Sequence, residues 1–298
     1  MNFESWFIII STLTIVSVVA AILMALIFLI IVIGNKQCHT IPLMLVSNSC
    51  TAEIVYGSSM LSSAVFRLQN DIKQRVFQDV LCHFRNYLTL VGTALLLYSF
   101  TIQALYRYII VLYPTYISWQ SVRVQSALIC LSWLFCIISL LPLLFMDISI
   151  YNVDNQSCIL PFRLSIPIIF NVTLIYLIPV SMSILLYFKL VRYVHQMSNP
   201  KTLSTQTLQQ ARRELVMIRR IIITISILLI LGVPFIIFML ISFVTKPPKY
   251  FYRIGVFFCD LSQTLIMITL FKFSKPVMNV LLKITHRLSS VTYSTNAE

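Results

Sequence analysis

Long apolar runs separated by short polar segments take up most of this chain. A membrane-crossing helix needs about 20 mainly apolar residues. Runs of that length lie near 6–33, 41–65, 79–112, 122–146, 164–193, 208–244 and 249–273. The third and sixth are extended by polar turns that should emerge from the bilayer. Each run must be helical, because an unpaired backbone N–H or C=O is intolerable in hydrocarbon. A barrel would show weak alternation instead of continuous runs. The pattern therefore predicts an all-α membrane protein, a seven-transmembrane helix bundle forming one domain over 1–298. After it, Val277, Leu281, Leu282 and Ile284 interleave with Lys283, His286 and Arg287. That spacing predicts a short amphipathic C-terminal helix over about 275–288, lying along the membrane surface.

Composition agrees: 59% of the 298 residues are hydrophobic and 10% charged, far from a soluble domain. The first residues lack a basic stretch and carry Glu4, and the run from Trp6 to Ile33 is too long for a signal peptide's apolar core. Basic residues set the orientation. With the N-terminus outside, Lys36, Arg107, Arg123, Lys189, Arg192, Lys201, Arg212, Arg213, Arg219, Arg220, Lys272, Lys275, Lys283 and Arg287 fall on the cytoplasmic side, where Glu214 and Glu298 are the acids. The first outer loop, with Arg67, Lys73 and Arg75, runs against the bias. The net charge of +13 is then largely membrane-surface charge beside anionic lipid; it does not imply nucleic acid.

Metal and catalytic chemistry find little support. The histidines 39, 83, 195 and 286 lie in different segments, and no paired His or Cys motif exists. No metal site or cofactor is expected, and no nucleophile–base constellation marks an enzyme. Cys82 opens the third run on the outer side and Cys158 lies in the loop after the fourth. An oxidising exterior permits a bridge between them, the alternative being two free thiols. Asn155-Gln156-Ser157 is a glycosylation sequon in the same loop; Asn171-Val172-Thr173 also matches but lies in an apolar span.

An ordered set of residues now resembles a known family. Arg107, within Tyr106-Arg107-Tyr108, follows Cys82 by 25 positions, and Pro114 follows seven later. Trp133 lies mid-way in the fourth span, Pro179 and Tyr187 in the fifth, and Pro234 in the sixth, with Glu214 twenty residues before it. Across the whole chain this resembles the rhodopsin-like (class A) G-protein-coupled receptors. The departures mark a divergent member. Tyr106 stands where the acid before the arginine is expected, and Gly232 where a tryptophan precedes the proline. Ile266-Met267-Ile268-Thr269-Leu270 stands where Asn-Pro-x-x-Tyr is expected.

A charge at the bilayer centre costs about 2.5–3.5 kcal/mol, so each needs a reason. Glu53 matches the family's second-span acid, which implies a sodium or activation-water site with Ser262 as a partner; a protonated, hydrogen-bonded Glu is the alternative. Asp260 lies in the outer half of the seventh span, and the resemblance puts Thr89 across from it. Asp260 is a candidate anchor for a cationic ligand group, against a structural hydrogen bond or a pair with Arg85. Arg107 and Glu214 have no opposite charge at three or four residues' spacing in their own helices. An interhelical pair between them resembles the family's resting-state lock, with Tyr108 and Tyr187 near the coupling end. The alternative is two solvated charges. Pro179 and Pro234 each remove a helix hydrogen bond and permit a kink.

The function these residues imply is a plasma-membrane receptor with its N-terminus outside. It would bind an extracellular small molecule or short peptide between its helices and activate a heterotrimeric G protein. The alternative is a transporter or channel, but no internal repeat is evident and the chain has only 5 glycines.

Overall fold

The computed structural model describes residues 3–73, 80–145, 149–153, 155–160, 165–197, 223–224, 226–234, 236–238, 240–241 and 251–283. Among these described residues, five helices are long and apolar enough to cross a membrane: Trp6–Gly34, Cys82–Leu112, Val122–Phe145, Ile166–Tyr193 and Phe251–Phe273.

Helix α1 (Phe3–Gly34) stops at the Gly34-Asn35 pair, where Asn35 Nδ2 donates to the Ile31 carbonyl at 3.0 Å. After one tight turn, Lys36–Cys38, α2 runs from Ile41 to Lys73. This helix carries many polar residues, and a set of them turns inward. Asn48, Ser49, Glu53, Ser59, Arg67 and Asn70 are all buried. The chain continues as α3 (Cys82–Leu112) and α4 (Val122–Leu140), whose first turn Ser121 caps by accepting from the Val124 amide. Pro142 follows the end of α4, and Pro142–Phe145 add a short helical turn. A hairpin, β1 (Ile150–Asn152) and β2 (Ser157–Ile159), sets Tyr151 opposite Cys158.

Three continuous helical segments, Ile166–Val172, Thr173–Leu177 and Ile178–Met197, form α5. Its middle segment is a π turn, closed by the Ile178 amide donating to the Thr173 carbonyl. The wider register would hand the Leu174 carbonyl to residue 179, but Pro179 has no N–H. The hydroxyl of Tyr98, from α3, donates to that carbonyl instead, at 3.1 Å. The break in the α5 hydrogen-bond ladder before Pro179 is thus built into the packing of α3 on α5.

Helical positions between 223 and 241 make up the described part of α6, and α7 spans Phe251–Phe273. Residues 275–283 form α8, whose Val277, Val280 and Leu281 pack onto the core. That 3–4 spacing is the apolar stripe of an amphipathic helix. The rest of the expected tail helix, 284–288, lies outside the described residues.

Without a hydrophobic drive between helices in lipid, close packing and interhelical hydrogen bonds hold such a bundle. α1 packs on α2 and α7, and α3 packs on α2, α4 and α5. Gly92 lets α3 approach the backbone of α2: a Cβ there would lie 2.7 Å from Tyr56 Cα. Gly57 does the same for α1, where a Cβ would meet Ile22 at 2.7 Å. Ser49 joins Ser99 at 2.7 Å and accepts from Gln103 Nε2 at 2.7 Å. Trp133 Nε1 donates to Asn48 Oδ1 at 2.8 Å, tying α4 to α2. Ser17 and Thr264 tie α1 to α7 at 2.7 Å.

Candidate functional site

A cavity of about 370 Å³ opens between α2, α3, α5, α6 and α7. Its wall is mainly apolar, with Leu90, Leu97, Ile175 and Val256 among its residues; Thr89, Asn171, Ser262 and Gln263 add polar groups. From α6 come Leu228, Gly232 and Ile236, at spacings of four that put them on one helical face. Gly232 makes room: a Cβ there would approach the Tyr176 hydroxyl to 3.0 Å. Asn171 Oδ1 and Gln263 Oε1 are buried without a hydrogen-bond donor among the described residues.

The hairpin covers this cavity. Cys82 and Cys158 are joined as a disulfide, with their Cα atoms 5.6 Å apart, so β2 is tied to the start of α3. Ile159 and Leu160, just after the tether, line the cavity. Between tether and cavity lies a narrower chamber lined by Arg67, Arg85, Gln156, Ser157 and Tyr252. Met60, Asn86, Thr89 and Tyr252 line both spaces, so the two adjoin. Arg85 donates to Ser62 Oγ at 3.4 Å and lies 4.7 Å above the Phe66 ring. The Thr89 hydroxyl lies within bonding distance of Ser59 Oγ at 2.7 Å and the Arg85 carbonyl at 2.9 Å.

Asp260 does not line either space. It is buried behind the cavity wall, and Tyr56, from α2, donates to its Oδ1 at 2.7 Å. Asp260 is thus hydrogen-bonded to Tyr56, while the Arg85 guanidinium lies against Ser62 and Phe66. Glu53, one helical turn before Tyr56, is 1% exposed, and neither carboxylate oxygen has a partner among the described residues. An acid so placed needs a proton or a cation. The Ser262 hydroxyl donates to the Cys259 carbonyl at 2.7 Å.

At the end of the bundle that holds the Cys82–Cys158 bridge, Arg253 of α7 donates twice to Asp71 of α2, at 2.7 and 3.1 Å, and lies 4.7 Å above the Phe7 ring of α1. Both partners are nearly buried, at 4% and 9% exposure. Burial pushes the Tyr151 phenol of the hairpin above its usual range, while the Arg253 guanidinium pulls it back. No sequence signal marks this cluster, because its members are scattered over the chain. Arg67, expected in an outer loop, is instead a buried residue of α2, on the stripe that Tyr56, Met60 and Ala64 begin.

At the opposite end, Arg107 is half-buried on α3, its guanidinium 5.8 Å from the Tyr106 ring. Tyr108 packs edge-on to Tyr113 at 6.1 Å. Tyr187 is buried beside Ala104 and Leu190. Glu214 lies outside the described residues. Pro234 sits within α6, two residues past Gly232. Asn155 of the sequon is 1% exposed and its amide donates to Asn152 Oδ1 at 3.3 Å, so a sugar there requires that side chain to turn outward.

This arrangement, apolar helices around a cavity closed by a disulfide-tethered hairpin, agrees with the family comparison. The family described as "7 transmembrane receptor (rhodopsin family)" matches residues 24–279, and the chain belongs to that family. It is a multi-pass membrane receptor of the G-protein-coupled class. No curated protein matches the chain.

Proposed function

We propose that the chain is a plasma-membrane receptor, with its N-terminus outside, that binds an extracellular small molecule or short peptide in the 370 Å³ cavity and activates a heterotrimeric G protein at the other end of the bundle. The observation that carries this reading is the cavity itself. Its size and its apolar wall with a few inward polar groups are those of a small-ligand site. Its roof is fastened to α3 by the Cys82–Cys158 bridge.

Two features supply the mechanical link. α5 carries the π turn and Pro179 beside Ile175, Tyr176 and Leu177 of the cavity wall. α6 presents Leu228, Gly232 and Ile236 to the cavity on either side of Pro234. A ligand pressing on that face acts at the weakest point of the α6 ladder, and a swing about it moves the inner end of the helix. Switching of this kind needs differential contact between ligand and two arrangements. At the inner end Arg107 and Glu214 form the resting pair, and Tyr108 and Tyr187 flank the docking cleft. Glu53, with Ser262, is the intramembrane polar station between the two ends.

The test is basal G-protein activation by Glu214→Gln at matched surface expression. The expected result is raised basal nucleotide exchange; unchanged or lower exchange overturns the resting pair. Agonist-dependent exchange supports the receptor reading as a whole, whereas substrate flux in liposomes without exchange supports a transporter.

A further inference from the structure

Among the described residues, two guanidiniums and no carboxylate line the upper chamber. Asp71 is committed to Arg253 through two hydrogen bonds, and Asp260 accepts from Tyr56. Arg67, four residues before Asp71 on the same face of α2, is 4% exposed. The Asp260 and Asp71 carboxylates act on it through space, but no hydrogen bond to its guanidinium is found among the described residues, and it lines the chamber beneath the Cys82–Cys158 bridge. Arg85 lines the same chamber from α3. Gln156 Oε1 and Ser157 Oγ, on the hairpin, are buried there without partners among the described residues. A guanidinium taken out of water without an acceptor is costly unless an anion completes it.

We infer that this chamber is the subsite for an anionic ligand head group, a carboxylate in particular, whose apolar or aromatic body fills the adjoining 370 Å³ cavity. Arg67 is the anchor, because a guanidinium presents parallel N–H donors to a carboxylate. Arg85 adds a second cation. The Ser157 hydroxyl donates to the anion, and the Gln156 amide does so once its NH₂ faces inward. The chamber is narrow, which favours a carboxylate over a bulkier phosphate ester. The buried acceptors Asn171 Oδ1 and Gln263 Oε1 lie farther along the cavity and suit a hydroxyl or N–H on the ligand body. The inference rests on the receptor reading and names the ligand class for its cavity. An amine ligand is disfavoured, since it would meet Arg67 and Arg85 with no acid free to receive it among the residues lining the chamber.

The test uses the full-length receptor in nanodiscs of uncharged lipid and three probes with one body: a biphenylbutyrate, the matching alcohol and the matching amine. The acid is expected to bind about tenfold or more tightly than the other two, the scale of a charge-assisted pair. Arg67→Gln is expected to remove that preference by weakening the acid far more than the alcohol. Equal or better binding of the amine, no binding of the acid, or acid affinity unchanged in Arg67→Gln overturns the inference. If Arg67→Gln does not fold, the head-group order in the wild type and the loss of acid affinity in Arg85→Gln decide the matter. Gly232→Leu, which narrows the main cavity, separates the two levels. Binding without acid preference that Gly232→Leu weakens sinks the anion subsite alone. Binding indifferent to Gly232→Leu counts against the cavity reading as well. Repeating the acid titration in anionic-lipid discs distinguishes the free carboxylate from a lipid head group, since a lipid in the chamber would compete and weaken it.

Discussion

The phenol of Tyr56 donates to the carboxylate of Asp260 at 2.7 Å, joining α2 to α7 behind the cavity wall. The two residues stand 204 positions apart in the chain. Tyr56→Phe keeps the ring but leaves a buried carboxylate with one donor fewer. The expected loss is about 1–3 kcal/mol, the cost of an unsatisfied buried acceptor. Thermal unfolding of purified receptor checks it, and an unchanged midpoint would show that the bond contributes nothing. Asp260→Asn keeps an acceptor for Tyr56 and is expected to leave ligand potency largely intact, because Asp260 does not line the cavity.

Gly92 holds α3 against the backbone of Tyr56. Gly92→Ala places a Cβ 2.7 Å from the Tyr56 Cα, and backbone cannot turn away as a side chain can. Overpacking of this sort costs about 1–3 kcal/mol. Reduced surface expression and a lowered unfolding midpoint are expected. Gly34→Ala is the control, since nothing lies within 4 Å of a Cβ there, and it should be close to neutral.

The bridge between Cys82 and Cys158 closes a loop across a sequence separation of 76. Its removal by Cys158→Ser is expected to cost about 2–4 kcal/mol. Ile159 and Leu160 then lose their tether over the cavity, so ligand dissociation should quicken more than association slows. A stability loss with unaltered dissociation would mean that the hairpin is not the roof.

Arg253 and Asp71 form a nearly buried pair. Asp71→Ala strands the Arg253 guanidinium and is expected to cost about 3–5 kcal/mol, whereas replacing both partners with apolar residues of similar size should restore much of that loss. A double-mutant cycle on thermal stability measures the difference. Equal damage from single and double variants would argue against coupling.

Much of the architecture is legible in the sequence because a bilayer demands long apolar helices. α1, α3, α4, α5 and α7 follow the expected spans closely. α2 is harder to place. Its outer end reads as a polar loop after residue 65, yet it continues as helix to Lys73. The apolar stripe through Tyr56, Met60 and Ala64 extends to Arg67 at helical spacing, and that continuation is the signal to follow. Asp71, farther along, pairs with α7 through Arg253, so hydropathy alone ends the helix too early. The hairpin is invisible because strands of three residues leave little pattern. The Tyr56–Asp260 and Arg253–Asp71 contacts depend on how the helices cross, which no local spacing records. Arg85 and Thr89 stand out in the sequence and do line the chamber. Arg67, which lines it with them, has no such mark.

The most direct measurement is nucleotide exchange on a panel of purified heterotrimeric G proteins, using reconstituted receptor and a library of small amphiphilic molecules, with Gly232→Leu alongside the wild type. If the cavity drives the receptor, at least one compound accelerates exchange, and narrowing the cavity with Gly232→Leu weakens its potency. No acceleration with any G protein, or an acceleration that Gly232→Leu leaves untouched, would contradict a receptor driven from this cavity.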